Sequence, residues 1–387
     1  RLRAQLYHLT TRQRLDDFFG EVSMGARMQT RNLITSTGAT LSAEKDLAPW
    51  FRLAGVSEGR YERFRPTNLA AEGPTTAPGE RRFVAGGVET RFSVSGLRLN
   101  VSPSIRVEAA QDTMGRSARY RLIGDDSRQA SSLLYNPRLA LVQWPSEEVS
   151  LRANLGRYGR LPSQLERYGN TGLLLGNPDL VPEKGLNADL GTHWTHPGER
   201  VRLSLDVALF AIWARDLIAF RQVGGYFRPG NVGRARILGS EASASIEWRR
   251  RVRMIGQVTF TDARDREAIS GSENKQLPLR PRLRAYARPE LRNLSLWGRW
   301  RWGLYADANV TSGNYLDSAN LVETRPRVLW GAGGHIAVPH WGLRLLASTY
   351  NLANTQVVDV DGYPLPGRSV FLTLQWTMSE TNKENLE

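Results

Sequence analysis

The chain has no cysteine among its 387 residues, which removes disulfide scaffolds, zinc–thiolate sites and cysteine nucleophiles together. It also lacks long apolar runs. The longest, Val207 to Ala214, is far too short to cross a bilayer as a helix, and a mean hydropathy of −0.41 excludes a bundle of membrane helices. The net charge of +14 is carried almost wholly by arginine. Such a charge first suggests nucleic acid, but the arginines are spread along the chain at alternate strand positions. No helix-turn-helix, finger or RNA-recognition pattern presents them, so no nucleic-acid partner is expected. No signal peptide is legible either, because Arg1-Leu-Arg-Ala-Gln-Leu6 has no apolar core followed by a small-residue cleavage site. The first residue is not methionine, which is the pattern expected of an internal piece.

Catalytic signatures fail on context. Gly55-Val-Ser-Glu-Gly59 has the spacing of a nucleophile elbow, yet no helical period follows it. The five histidines include His193 and His196, but His-Glu-x-x-His is absent. Asp359-Val-Asp-Gly362 resembles the start of a calcium loop without its distal glutamate and is expected to be a turn. The sequence therefore predicts no catalytic residue, no metal site, no cofactor and no enzyme.

What the chain does have is a two-residue period, repeated from end to end. In Arg368 to Trp376, Val370, Leu372, Leu374 and Trp376 fall on one face, and Phe371, Thr373 and Gln375 on the other. The same alternation predicts strands at 1–10, 32–42, 50–64, 83–94, 97–109, 130–143, 149–158, 185–195, 201–214, 237–248, 252–261, 281–288, 294–309, 327–338 and 341–350. With the last, that makes roughly sixteen, an even number as in bacterial outer-membrane barrels. Short turns are expected at Ser95-Gly96, Trp144–Glu148, Pro197–Glu199, Arg249–Arg251, Glu290–Asn293 and Pro339-His340. They alternate with long polar loops at 111–129, 159–183, 215–235, 262–279, 310–325 and 351–367. Short turns at one rim and long loops at the other mark a transmembrane, antiparallel, up-and-down β-barrel of all-β class. Trp194, Trp213, Trp248, Trp341 and Trp376 lie near strand ends on the apolar face, where indole rings suit a membrane interface. The opposite face, with Arg202, Asp206, Arg253, Arg299, Arg301 and Arg344, then lines a wet lumen, since so many charges in a dry core would cost several kcal/mol each.

Several stretches in order resemble the barrel of a TonB-dependent outer-membrane receptor. They are Pro137-Arg-Leu-Ala-Leu141, Tyr158-Gly-Arg-Leu-Pro162, Asn177-Pro-Asp-Leu-Val-Pro-Glu183, Asp216-Leu-Ile218, Asn231 to Glu241, Leu277-Pro-Leu-Arg-Pro281, Asn351-Leu-Ala-Asn354 and Gly362 to Arg368. Read locally, Gly239 and Glu241 sit on the lumen face, glycine leaving space and the carboxylate able to pair with a lumen arginine. The resemblance implies a barrel of about 22 strands with a plugged lumen. On that reading residues 1–376 are the C-terminal part of the barrel, the plug and some early strands are missing, and residues 377–387 are a polar tail.

The resemblance further implies a monomer in the outer membrane of a Gram-negative bacterium, crossing it many times in contact with lipid and lipopolysaccharide. It would be energised by the TonB complex through the missing N-terminal plug and would import a scarce, bulky nutrient. A ferric siderophore is the first expectation, with cobalamin or a glycan as other cargoes. Arg299, Arg301, Tyr305 and Arg344 are the candidate ligand contacts on the inner wall. Alternatives are a passive, plugless porin and a receptor-derived barrel acting as surface scaffold or sensor.

Overall fold

The computed structural model describes residues 1–19, 28–69, 78–114, 128–169, 174–223, 226–267, 272–296, 300–360 and 363–377. Sixteen strands pair in chain order as one antiparallel sheet. The first seven are β1 (Leu2–Asp17), β2 (Met28–Ala48), β3 (Phe51–Asn68), β4 (Gly79–Val94), β5 (Leu99–Met114), β6 (Arg128–Gln143) and β7 (Val149–Arg160). After a short helix, α1 (Gln164–Tyr168), follow β8 (Glu183–Pro197), β9 (Val201–Val223), β10 (Tyr226–Trp248), β11 (Val252–Asp265), β12 (Leu283–Leu296) and β13 (Trp300–Thr311). A small hairpin, β14 (Asn314–Tyr315) with β15 (Glu323–Thr324), precedes β16 (Arg327–Val338) and β17 (Leu343–Tyr350). A second, β18 (Val358–Val360) with β19 (Tyr363–Pro364), precedes the last strand, β20 (Ser369–Trp376).

Each expected strand has its counterpart, and the differences have a common cause. Residues 11–17, 28–31, 215–223 and 226–236 continue the β1–β2 and β9–β10 hairpins where loops were expected. Beyond the apolar band the outer face no longer needs hydrophobic residues, so alternation fades while backbone pairing persists. The second correction concerns Glu290–Asn293, which is not a turn. β12 runs on to Leu296, and the register with β13 shifts between Leu291 and Leu294. Asn293 adopts φ 53°, so the turn-like residue serves a β-bulge inside the strand. Trp213 likewise lies mid-strand in the long β9 rather than near its end.

The two faces separate as the alternation requires. Val84, Val88, Leu155, Leu190, Leu209, Trp213, Trp248, Leu304, Trp341 and Trp376 are exposed on the outer face. Buried apolar residues gather instead on the inner face near the long loops, as Ala214, Ala235, Ile237 and Ala263 packed with Leu217 and Leu277. An apolar exterior and a charged interior invert the arrangement of a water-soluble domain and suit a hydrocarbon surround. Among the described residues no helix is long and apolar enough to cross a membrane. There, too, β1 pairs only with β2 and β20 only with β17, so the sixteen strands do not close on themselves.

This two-sidedness predicts a sharp asymmetry between neighbouring positions of β8. Leu190→Arg, on the outer face at the middle of the strand, should destabilise the protein in bilayers by about 2–4 kcal/mol, and Asn187→Arg on the inner face by under about 1 kcal/mol. Urea unfolding from vesicles reads both; equal costs would contradict the assignment of faces.

Candidate functional site

The inner wall of β11–β17 brings together three of the four candidate contacts. Arg301 pairs with Ala337, and Ala337 with Arg344, so both arginines stand in one transverse row on the same face. Tyr305 lies four residues further along β13, opposite Glu290 on one side and Gly333 on the other. A Cβ at Gly333 would approach the Tyr305 hydroxyl to 2.5 Å, so glycine lets the ring lie flat along the wall. Arg299 lies outside the described residues.

Residues that sequence reasoning passed over complete this wall. Arg288 stacks its guanidinium 3.7 Å from the centre of the Tyr305 ring while its Nε lies 2.6 Å from Glu290. Arg292 reaches Glu247 at 3.2 Å. With His335 and Arg344 these groups line a hollow of about 350 Å³. Glu290 and Arg292 were hidden because the bulge makes strand out of an expected turn. Arg301 and Arg344 have no ion-pair partner among the described residues, whereas Asp206 holds both Arg152 and His193. Glu241, expected to be able to pair with a lumen arginine, forms no ion pair among the described residues, and neither does Asp307.

At the long-loop end, α1 folds onto the inner face of β3–β5, opposite the exposed Val84. Ser163 caps it: its hydroxyl accepts from the Glu166 amide, and the Glu166 carboxylate accepts from the Ser163 amide. Tyr168, 1% exposed, stacks on Phe64 with ring centres 5.5 Å apart, and a side chain at Gly79 would overlap its ring. Beneath the helix, Arg81 grips Asp112 with two bonds of 2.6 and 3.1 Å and donates to the Pro162 carbonyl at 2.7 Å. Arg167 lies 3.4 Å from the same carboxylate and donates to the carbonyls of Pro178 and Leu180. Two buried arginines thus share one carboxylate of 2% exposure, and the carbonyls of Pro162, Pro178 and Leu180 take further donors from them. Burial, reinforced by the charge of Asp112, pushes the Tyr168 hydroxyl up to about 12. Burial also opposes the charge of Glu166, but hydrogen bonds from Arg160 and Ser163 outweigh it and hold the carboxyl below its ordinary value.

The ordered sequence motifs converge on this same level. Glu183 accepts from Tyr158, Arg160 and the Ile218 amide, joining β7, β8 and β9. Asn231 exchanges two bonds of 3.0 Å with the backbone of Val181 and donates to the Asp216 carbonyl at 2.7 Å. Leu277 covers the inner apolar cluster, and buried Asn351 ties Thr355 and Pro366 together. Gly239 admits the Phe210 ring, as its lumen position implied. By contrast Gly55 to Gly59 lies within β3 and forms no elbow, and His193 is a wall residue of β8. Asp361 and Gly362 lie outside the described residues, and among those described no group of three or more acidic or histidine side chains could hold a metal ion.

Residues 1–352 match the family described as TonB dependent receptor-like, beta-barrel. The chain belongs to that family. Solved structures with the same fold include the copper transporter OprC, at TM-score 0.74 and 17% identity, over 96% of this chain and 62% of that one. The FrpB iron transporter of Neisseria meningitidis aligns at TM-score 0.71 and 14% identity, over 97% and 61%. The siderophore receptor PiuA of Acinetobacter baumannii aligns at 0.73 and 13%, over 96% and 62%. The chain therefore spans about three-fifths of the length of these structures. Comparison with curated proteins found no match. In this TonB-dependent receptor barrel, the motif residues are structural ties that pin long loops to the wall, while Arg301, Tyr305 and Arg344 remain open to the lumen.

The ionic cluster under α1 predicts that Asp112→Ala, which leaves two arginines buried without a counter-charge, costs about 3–5 kcal/mol. Trypsin should then cut at Arg160 or Arg167 in intact membranes of the variant and spare the wild type; equal resistance would show that the carboxylate does not hold the loop. Because the Glu166 pKa is depressed by folding, its contribution is present above the ordinary glutamate value of 4.5 and lost as pH falls through the lower folded value. The loop should therefore stay protected at pH 5 and open only in stronger acid, as the same digestion would read with an acid-tolerant protease.

Proposed function

We propose that this chain is the C-terminal barrel part of an outer-membrane active-transport receptor of a Gram-negative bacterium. It binds a scarce, bulky nutrient and passes it to the periplasm with energy relayed by TonB through an N-terminal plug. The family match over residues 1–352 carries this reading. Transporters of copper, iron and siderophores among proteins of the same fold support nutrient import, and they favour a ferric siderophore over cobalamin or a glycan. The receptor works as a monomer in contact with lipid and lipopolysaccharide and catalyses no reaction. The unpaired edges of β1 and β20 count against a porin built from these sixteen strands alone.

Within that function, Arg301, Tyr305 and Arg344 are lumen contacts for an anionic cargo on its way through the barrel, with Arg299 as a fourth. Their support is placement: two arginines free of ion pairs in one row, and an aromatic face above them already occupied by one guanidinium. The test is growth of an iron-starved strain, carrying the full-length gene, on a panel of ferric siderophores with and without functional TonB. TonB-dependent rescue by one of them is expected. Rescue that persists without TonB, together with steady conductance in a planar bilayer, would make the protein a passive channel. In the rescuing strain, Arg301→Ala with Arg344→Ala should lower uptake of an anionic siderophore about tenfold. Unchanged uptake would remove both from the path.

A further inference from the structure

The short-turn rim carries a feature that the import of a nutrient does not use. β10 and β11 are joined by Arg249-Arg250-Arg251, and both Arg249 (φ 49°) and Arg250 (φ 57°) adopt the left-handed conformation. Consecutive positive φ values in a two-residue hairpin turn favour Asn-Gly, and side chains as long as arginine are rarely placed there. At the opposite, long-loop rim the same conformation is given mostly to residues that tolerate it: Asp216, Asn274, Asn320, Asn351 and Asn354. Arg98, also left-handed at φ 47°, repeats the exception in the turn before β5. Arginine therefore stands at the short-turn rim where local conformation disfavours it, and an observed backbone outlier of this kind points to a use for the side chain.

The surroundings indicate which use. Arg249, Arg250 and Arg251 are exposed, as is Arg200 in the next turn, whose carbonyl accepts from the Arg249 amide at 2.7 Å. Among the described residues none of the four has an ion-pair partner; Glu199 precedes Arg200 in sequence, while Glu247 and Glu290 are held by Arg292 on the inner face. The Arg249 guanidinium lies 5.2 Å from the centre of the Trp248 ring. Trp248 faces outward at the end of β10, beside the exposed outward residues Ile246, Met254 and Leu291. The last ring of the apolar band thus carries a cation laid against it, and three further exposed arginines stand in the same two turns. That is the level of lipid headgroups, where tryptophan and arginine are both favoured and a guanidinium binds phosphate oxygens in pairs.

We propose that Arg200 and Arg249–Arg251 form a binding site for the phosphodiester headgroup of an anionic phospholipid in the bilayer leaflet at the short-turn rim. Trp248 packs against the lipid's upper acyl chain and glycerol, Arg249 is held against the ring, and the turn arginines chelate the phosphate. The proposal rests on the membrane-spanning reading of the sheet, and its test separates the two.

The decisive variant is Arg249→Asn with Arg250→Gly, because Asn-Gly suits the turn better than the native pair and should fold at least as well. Full-length wild type and variant are first inserted into zwitterionic phosphatidylcholine vesicles. Failure of the wild type to enter them would overturn the membrane-spanning reading itself. Both proteins are then released into detergent and titrated with phosphatidylglycerol, phosphatidylethanolamine or glycerol 3-phosphate, with bound molecules counted by native mass spectrometry. The wild type should retain phosphatidylglycerol at least about fivefold more than phosphatidylethanolamine, and the variant should lose that preference. Equal retention of the two lipids by the wild type, or a preference that survives in the variant, would overturn the site. Binding of glycerol 3-phosphate as tightly as phosphatidylglycerol would overturn the lipid assignment in favour of a free phosphate.

Discussion

Everything in this molecule depends on pairing backbone groups between strands while two unlike environments press on the two faces of one sheet. In hydrocarbon an unpaired amide or carbonyl has no solvent to turn to, so a chain that crosses by strands must satisfy each one with a neighbour. The ladder from β1 to β20 does this between all of its neighbouring strands, leaving only the outer edges of β1 and β20 without a partner strand among the described residues, and each strand of the sheet lies beside the next of its strands in sequence. Period-two alternation then follows, because every strand presents one row of side chains to lipid and the next to water. Interruptions of the pattern mark local departures from that ladder, as in the β12 bulge between Leu291 and Leu294, just beyond the Glu290–Tyr305 pair.

Polar chemistry inside the barrel divides by level. Near the long loops it is ion-paired, hydrogen-bonded and structural: Asp112 between two arginines, Glu183 across three strands, Asn231 bridging two backbone segments. Nearer the short turns it is more open, with Arg301 and Arg344 without an ion-pair partner among the described residues and Tyr305 laid against the wall. The inner face is thus shaped by tied loops at its mouth, the long-loop rim, and open along its charged wall. The apolar patch under Leu277 belongs to the mouth, where a loop needs a hydrophobic footing to stay folded inward.

Most of the fold was legible in the sequence because the membrane imposes its alternation residue by residue. β8, β11 and β16 begin and end within a few positions of where periodicity placed them. Legibility failed where that pressure stops. The outer halves of β9 and β10 pair without an apolar face, and Asn293 has the chemistry of a turn while occupying a bulge. The lumen side of the site was only half visible. Arg301, Tyr305 and Arg344 follow from strand parity, whereas Glu290 and Arg292 lay in an expected turn that the structure makes into strand and bulge. The cluster of Arg81, Asp112 and Arg167 joins residues from two strands and the helix α1, a closure that no local spacing encodes.

The central claim is that one face of this sheet meets lipid and the other meets water, and these 387 residues contribute no cysteine of their own to a labelling test of it. Single cysteines placed in turn at residues 186–191 of β8, in the full-length protein in native membranes, can be titrated with a water-soluble and a lipid-soluble thiol reagent. The account predicts strict alternation, with positions 186, 188 and 190 reacting from the lipid and 187, 189 and 191 from the water. Uniform reaction with the water-soluble reagent along the whole strand would contradict it.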